Sequence, residues 1–234
     1  MTTQLPLAIQ LPDFASFDNY YVQSRNREPV NALLALAAAL GAGTEVEARI
    51  LHLCGAIGAG KTHLLYALCR QVRAHSLPAM YLSLCDPAVR PEHLEALPRA
   101  GVVCLDDLGT AAGYADWQRA LLLLYEQMRD TQPVLVTAAR YTPSALGFTL
   151  ADLTSRMQRS VVYRIHALDD TGKAHALRLR AANRGLHISD EVVRYMLARY
   201  TRDEASLFAL LDRMDTASLA AQRRITVPFL KTLE

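Results

Sequence analysis

Eight consecutive residues combine glycine, lysine and a hydroxyl side chain at a spacing that suits phosphate binding. Glycines allow backbone N–H groups to curl around phosphate oxygens, and the Lys61 ammonium would neutralise the β- and γ-phosphates. The Thr62 hydroxyl is an oxygen ligand of the kind that Mg²⁺ prefers. We therefore predict a loop that holds ATP or ADP with Mg²⁺, the alternative being a glycine-rich turn with an exposed lysine. The segment fits the pattern G-x-x-x-x-G-K-[ST] and reads Gly55, Ala56, Ile57, Gly58, Ala59, Gly60, Lys61, Thr62.

Two adjacent acids follow an apolar run further along the chain. Asp106 and Asp107 come directly after Val102-Val103-Cys104-Leu105, at the carboxyl end of a predicted buried strand, where open α/β sheets bind ligands. We predict that Asp106 joins Thr62 in holding the metal, and that Asp107 is catalytic because it orients or deprotonates the attacking water. The alternative is that both acids cap the segment that follows.

Five short apolar runs alternate with stretches of helical periodicity, which predicts a parallel sheet flanked by helices. Their near-continuous hydrophobicity is typical of strands that are buried on both faces. The fold class is therefore α/β with a five-stranded parallel sheet. The runs are 50–54, 79–84, 102–105, 134–137 and 161–165.

The pattern changes at both ends of this alternating region. Residues 1–13 carry Pro6 and Pro12 and read as an extended tail. After Leu168 the strand pattern stops, and helical patterns follow at about 171–184, 189–200 and 204–222. We predict a tail at 1–13, a nucleotide-binding core at 14–167 and a small all-helical domain at 168–234.

Composition narrows the possible partners. The chain has 234 residues, 51% hydrophobic content and a formal net charge of +2 from 25 basic and 23 acidic side chains. No whole-protein field would draw it to nucleic acid or an anionic membrane, so we expect neither sequence-specific DNA binding nor a membrane partner. The first residues lack a signal-peptide pattern, and no stretch reaches the ~18 apolar residues of a membrane span. We expect a cytoplasmic protein.

The loop, the two acids, the helical end and Phe17-Asp18-Asn19-Tyr20-Tyr21-Val22 together resemble the AAA+ ATPases of the replication-initiator (DnaA) clade. The resemblance implies an AAA+ P-loop core with a helical lid, and it implies that Tyr21 and Val22 contact the adenine base. Gln23 stands where the clade often has glycine.

Three further stretches are similar to the Hda family, whose members are DnaA homologues that inactivate the initiator. They read Ala151-Asp152-Leu153-Thr154-Ser155-Arg156, Ala176-Leu177-Arg178-Leu179-Arg180-Ala181 and Ala221-Gln222-Arg223-Arg224-Ile225-Thr226-Val227-Pro228-Phe229. The resemblance implies that Arg156 is an arginine finger, which reaches into a neighbouring subunit's nucleotide. The alternative is an intrahelical ion pair with Asp152, four residues earlier. The resemblance names DnaA as the partner and leaves self-association open.

The tail offers a second partner. Gln4-Leu5-Pro6-Leu7 resembles the glutamine-leucine peptides that dock into the DNA polymerase sliding clamp (its beta subunit). Gln4 offers a polar anchor, Leu5 and Leu7 offer apolar ones, and Pro6 stiffens the peptide before it binds. The alternative is a disordered leader.

Two residues depart from the clade in a way that predicts weak intrinsic ATPase activity. Ala139 stands where the clade has an Asp or Asn that senses the γ-phosphate, and Ala205 stands where it has a phosphate-contacting arginine. The favoured interpretation is a nucleotide-bound, clamp-tethered regulator that promotes hydrolysis of DnaA-bound ATP and so prevents re-initiation. The alternatives are an autonomous ATPase of the helicase-loader or transposition-helper type, and a small-molecule kinase.

Overall fold

The structure is a computed structural model that describes residues 15–130, 133–200, 204–221 and 224–232. The strands are β1 (Ile50–Cys54), β2 (Ala79–Ser83), β3 (Val102–Asp106), β4 (Val134–Ala139) and β5 (Val161–Arg164). The α-helices are α1 (Arg27–Ala42), α2 (Lys61–Ala74), α3 (Ala115–Asp130), α4 (Ala151–Met157), α5 (Asp170–Asn183), α6 (Asp190–Arg199), α7 (Glu204–Ala221) and α8 (Val227–Lys231). Short 3-10 helices lie at Ser24–Asn26, Pro91–Arg99, Leu108–Gly113 and Pro143–Ala145.

The described strands form one five-stranded sheet in the order β2-β3-β4-β1-β5, and every neighbouring pair is parallel. This arrangement confirms the predicted α/β fold class. Cys54 at the end of β1 lies beside Ala139 at the end of β4 and beside Arg164 at the end of β5. The carboxyl ends of these strands therefore meet at one edge of the sheet, which is where the predicted phosphate loop begins.

Strand β5 differs from the expectation of burial on both faces. Val161 and Val162 are each 40% exposed, whereas β3 and β4 are buried along their whole length. The reason is position, because β5 is an edge strand and pairs only with β1.

Two helical layers flank the strands. Helix α2 packs against β2, β3 and β4, and α1 packs against α2. Helix α3 covers strand side chains that alternate with those facing α2, and Cys104 of β3 faces Cys69 of α2. Buried members of the α3 layer include Leu121, Tyr125 and Met128 of α3, Val103, Leu105 and Leu135 of the sheet, and Leu153 and Met157 of α4.

The chain divides into two compact units. One contains the described residues up to Phe17 together with Ser24–His166, and the other contains Asp18–Gln23 and the described residues from Ala167 onward. Residues 18–23, which the sequence analysis assigned to the core, thus belong to the second unit. Within the described ranges, no helix combines the length and apolar character needed to cross a membrane.

The second unit has a core of its own, built from α5 to α8. Ser189 caps α6 by accepting a hydrogen bond from the Val192 N–H, and Asp169 caps α5 by accepting one from the Gly172 N–H. Helix α8 was not predicted, because Pro228 reads as a helix breaker, whereas in the structure it lies in the first turn, where proline is tolerated. Buried apolar residues of this core include Leu177, Val193, Met196, Leu211 and Leu230.

Candidate nucleotide-binding site

The predicted phosphate loop connects β1 to α2, as the motif requires. Gly58 and Gly60 have φ angles of 80° and 87°, which residues other than glycine rarely adopt. A Cβ atom added to Gly55 would lie 2.3 Å from the Ile165 carbonyl oxygen, so only glycine fits there. Gly60 precedes the first residue of α2 and makes no side-chain cap, which leaves the N-terminal end of the helix to interact with an anion.

The remaining residues of the loop frame this helix end. Ala56 and Ile57 are exposed, and Ile57 projects into solvent. Ala59 is buried, and its N–H donates to the Ala56 carbonyl oxygen over 3.2 Å, which closes the turn. The backbone between Gly55 and Gly60 therefore forms a compact loop rather than an extended one.

Lys61 lies at the start of α2 and turns back over the loop. Its ammonium donates to the carbonyl oxygens of Gly55 at 2.9 Å and Ala56 at 2.8 Å. Burial lowers the pKa of the Lys61 ammonium, while the negative charges of Asp106 and Asp107 oppose that shift. The lysine therefore lies between the loop and the two acids, where a phosphate's negative charge would stabilise its charged form.

Asp106, at the end of β3, accepts hydrogen bonds at both carboxylate oxygens. Oδ2 accepts from the Thr62 hydroxyl at 2.5 Å and from the Tyr81 hydroxyl at 3.1 Å. Oδ1 accepts from the Asp107 N–H at 2.8 Å. Burial raises the pKa of the Asp106 carboxyl, and the hydrogen bond from Thr62 opposes that shift. The structure thus brings Thr62 and Asp106 together, as the metal-site prediction requires.

Asp107 is exposed and has a left-handed backbone, with φ at 56°. It precedes the 3-10 helix Leu108–Gly113 but makes no side-chain cap to it, so the capping alternative does not hold for Asp107. Its Oδ2 instead accepts from the Ser83 hydroxyl at 2.8 Å. An exposed carboxylate oriented from a neighbouring strand end suits the role of a water-positioning group.

The oxygen ligands suit a magnesium ion bound together with a nucleotide. No cluster of three or more His, Cys, Asp or Glu side chains that could hold a metal occurs in the part of the chain that the structure describes. Mg²⁺ bound to nucleotide phosphates needs only one or two protein oxygens, since phosphates and waters supply the others. Thr62 and Asp106 provide two such oxygens next to the loop.

Ala139 lies at the end of β4, next to this site. It is buried, and its carbonyl oxygen accepts from the Gly55 N–H at 3.2 Å. A methyl side chain at this place offers no hydrogen bond to a phosphate. Ala205 lies in α7, and its side chain falls outside the described part of the structure.

A buried histidine holds the strand end that carries Ala139. The His52 Nε2–H donates to the Tyr141 carbonyl oxygen at 2.9 Å, so Nδ1 of the neutral ring accepts from the Thr137 hydroxyl at 2.8 Å. Burial lowers the pKa of His52, which keeps the ring neutral. The hydrogen bonds and the burial of His52 indicate a structural role.

Tyr21 and Val22, the predicted adenine contacts, lie in the second unit. The Tyr21 ring stacks on the His175 ring, with centroids 5.1 Å apart, and Val22 is partly exposed. Their contact with adenine stays a prediction. Gln4, Leu5 and Leu7 lie outside the described residues.

Arg156 lies in the last turn of α4. Its guanidinium forms an ion pair with Glu126 of α3, at 2.8 Å between Nη2 and Oε1. The expected alternative, a pair with Asp152 on the same helix, is wrong for the described structure. The Arg156 side chain is 31% exposed, so the guanidinium is accessible from outside the chain.

Four contributors were missed in the sequence. Ser83 and Tyr81 both lie on β2, and their position near the carboxyl end of a predicted strand could have identified them. Glu126 and Gln118 lie on α3. Glu126 accepts from Arg156, and Gln118 accepts from the N–H groups of Thr149 and Leu150, about thirty residues away, where no local pattern indicates a partner.

Comparisons with known proteins give relatives both by sequence and by fold. An uncharacterized protein of Haemophilus influenzae is 34% identical over 235 residues, covering 100% of this chain and 99% of the relative. Domain III of the Thermotoga maritima replication initiation protein DnaA has a similar structure, with a TM-score of 0.77, 19% identity and coverage of 95% of each chain. AMPPCP-bound DnaA from Aquifex aeolicus gives 0.71 at 19% identity, over 88% of this chain and 66% of the other.

The parallel sheet, the phosphate loop and the helical C-terminal unit define a protein of the AAA+ class with a DnaA-like fold. Residues 170–233 match the family model described as "Hda, lid domain". The chain belongs to the Hda-like family.

Proposed function

We propose that this protein regulates DNA replication initiation by promoting hydrolysis of ATP bound to the initiator DnaA, to which it supplies Arg156. The observation that carries the proposal is the position of Arg156. It lies toward the amino ends of the parallel strands, whereas the chain's own phosphate loop lies at their carboxyl ends. Family membership and the DnaA-like fold support the choice of partner.

Sheet topology gives the position of Arg156. The phosphate loop follows the carboxyl end of β1, whereas α4 ends three residues (158–160) before the amino end of β5. Because β1 and β5 are parallel neighbours, the carboxyl end of β1 and the amino end of β5 lie at opposite ends of the strands. A five-residue strand separates them by about 16 Å. Glu126, which pairs with Arg156, lies in the last turns of α3, on the approach to the amino end of β4.

An arginine at that edge suits action in trans. An arginine finger works by placing its guanidinium against the charge that develops on a transferring phosphoryl group. Arg156 is part of a short helix whose Leu153 and Met157 are buried in the core, so the helix is fixed while its arginine is accessible. A second molecule could therefore bring its nucleotide to this edge.

The chain's own site supports nucleotide binding more than rapid turnover. Lys61, Thr62 and Asp106 are placed to hold a nucleotide with Mg²⁺, and Asp107 can position a water molecule. Ala139 removes a contact to the γ-phosphate that would distinguish ATP from ADP, a kind of contact that contributes about 1.5–3 kcal/mol. We propose that bound ADP or ATP mainly fixes the shape of the protein.

The N-terminal tail would tether the protein to the sliding clamp. Gln4, Leu5 and Leu7 are the proposed anchors, and docking would raise the local concentration of Arg156 near newly replicated DNA without adding a contact to DnaA. Replacing Gln4 and Leu5 by alanine should abolish clamp binding and leave nucleotide binding unchanged.

The experiment that tests this function measures ATP hydrolysis by purified DnaA from the same cell, in the presence of clamp loaded on DNA. The intact protein should accelerate hydrolysis, and Arg156→Ala should bind nucleotide normally but not accelerate it. The exposed Arg119 of α3, replaced by alanine, is the matched control. Equal acceleration by Arg156→Ala and the intact protein would refute the proposal.

A second candidate is an autonomous ATPase, favoured by the arrangement of Thr62, Asp106 and Asp107. The same assay without DnaA separates the two. Brisk hydrolysis by the protein alone, lost in Asp107→Asn, together with no effect on DnaA, would favour the autonomous enzyme.

A further inference from the structure

Gln118 of α3 is a buried amide whose two ends bond to different segments. Only 3% of the residue is exposed, and Leu121 and Leu124 of the same helix belong to the buried apolar layer. Burial of an amide is costly unless its donors and acceptors are satisfied, and here both the oxygen and the nitrogen have partners.

The oxygen of Gln118 holds the start of α4. Oε1 accepts from the Thr149 N–H and the Leu150 N–H, each at 2.9 Å, and from the Thr149 hydroxyl at 3.2 Å. Leu150 is the residue that precedes α4, and an apolar side chain cannot cap a helix. Gln118 does not replace this cap, but it binds the N–H groups of the two residues that lead into α4 and so fixes the backbone at the entry to the helix.

The nitrogen of Gln118 holds a different segment. Nε2 donates to the Ala112 carbonyl oxygen at 2.8 Å. Ala112 belongs to the 3-10 helix Leu108–Gly113, which begins directly after Asp107. One side chain thus joins the segment that follows the two acids to the helix that carries Arg156.

We propose that Gln118 is a positioning residue for Arg156, acting through Thr149 and Leu150, the two residues that lead into α4. This inference rests on the proposed function of Arg156. Helix α4 has seven residues, and a helix this short depends on contacts outside itself. Its length is about 10 Å at 1.5 Å per residue, so a tilt at Leu150 is carried to the arginine in the last turn.

Helix α3 contacts both ends of the segment that carries Arg156. Gln118 fixes the beginning of α4, while Glu126, two turns further along α3, contacts the arginine near its end. Misplacement of a catalytic group by about 1 Å can reduce a rate by roughly a hundredfold. Loss of the Gln118 hydrogen bonds should therefore reduce the rate of the stimulated reaction more than it reduces binding of the partner.

Two substitutions distinguish the contribution of the amide oxygen from that of the amide nitrogen. Gln118→Met keeps the length of the side chain and removes both the acceptor and the donor. Gln118→Glu keeps an oxygen acceptor for Thr149 and Leu150 but loses the donor to Ala112. Leu33→Ala, in the buried face of α1, is a control that lowers stability without touching α4.

The assay is DnaA-dependent ATP hydrolysis over a range of concentrations of the intact protein and each variant. Gln118→Met should lower the maximal stimulated rate by at least roughly tenfold, with an unchanged half-maximal concentration and unchanged affinity for its own nucleotide. Gln118→Glu should recover most of the maximal rate.

The inference would be overturned by a normal maximal rate for Gln118→Met, or by an equal loss in Leu33→Ala at a comparable unfolding temperature. If Gln118→Glu loses as much as Gln118→Met, the hold on α4 is not what positions the arginine. Failure of the proposed function is distinguishable, because Arg156→Ala would then stimulate like the intact protein. An inactive Arg156→Ala beside a normal Gln118→Met overturns only the role of Gln118.

Discussion

The ion pair between Arg156 and Glu126 should hold the Arg156 guanidinium against this chain. In the proposed function that guanidinium must leave Glu126 to reach the nucleotide of a partner. The two groups are 2.8 Å apart, and their side chains are 31% and 43% exposed. Engagement of a nucleotide on DnaA requires the guanidinium to exchange this carboxylate for a phosphate. Glu126→Gln keeps the shape of the side chain and removes its charge, so we expect the variant to stimulate hydrolysis more than the intact protein.

The size of the effect follows from the exposure of the pair. Partly exposed ion pairs contribute about 0.2–1 kcal/mol, because solvent screens them and ordering two long side chains costs entropy. Release of that restraint corresponds to an increase of at most about fivefold in the rate, since each 1.36 kcal/mol is tenfold. The free energy of unfolding should fall by no more than about 1 kcal/mol.

The assay compares the intact protein, Glu126→Gln and Arg156→Ala with DnaA at limiting concentrations of the regulator. Urea denaturation measures the stability of each. Asp116→Asn is a matched control, because Asp116 pairs with Arg119 on the same helix at an exposed place. A loss of stimulation in Glu126→Gln at unchanged stability would refute the reasoning, since it would mean that Glu126 orients Arg156 productively.

Three further predictions concern the nucleotide site. Lys61→Ala should weaken nucleotide binding at least roughly tenfold, because a charge-assisted contact contributes about 1.5–3 kcal/mol; titration with a fluorescent ATP analogue measures it, and unchanged affinity would contradict the site. Asp106→Asn should gain stability relative to the intact protein as pH rises. The pKa of Asp106 is raised in the folded state, so the folded protein holds the proton more tightly than the unfolded chain does. The intact protein therefore loses stability as pH rises above the ordinary pKa of the carboxyl, and the asparagine variant does not. Urea denaturation at acidic and neutral pH checks this, and a difference that is independent of pH would contradict it. Gly55→Ala should destabilise the protein by about 1–3 kcal/mol through overpacking, since its Cβ would lie 2.3 Å from the Ile165 oxygen, whereas Gly113→Ala, whose Cβ meets nothing within 4 Å, should not; equal unfolding temperatures for both would refute the close approach.

Much of the sheet was predictable because a buried strand appears in the sequence as a short run of apolar residues. β1 begins and ends where its apolar run does, and β3 ends at the acid that the run predicted. The apolar run of β5 wrongly predicted burial on both faces, because Val161 and Val162 lie on an edge strand and are partly exposed. Which strand lies at an edge depends on pairing between distant segments, and that information is not present in a run of five residues.

The site divides in the same way. The phosphate loop and the two acids could be predicted because the chemistry expected of them depends on spacing along the chain. Gln118 and Glu126 could not be found, since each acts on a residue about thirty positions away and resembles an ordinary polar residue of a helix. The alternative partner considered for Arg156 was Asp152 because local spacing suggests only that residue, whereas Glu126 is thirty positions away.

Asp107 combines a strained backbone with a carboxylate that a neighbouring strand orients. A left-handed conformation costs an ordinary residue roughly 1–2 kcal/mol, and somewhat less for aspartate. Glycine would adopt the same φ of 56° without this strain, yet it has no carboxylate for Ser83 to orient. Glycine at this position would therefore relieve the backbone strain and, at the same time, remove the carboxylate that accepts the Ser83 hydrogen bond.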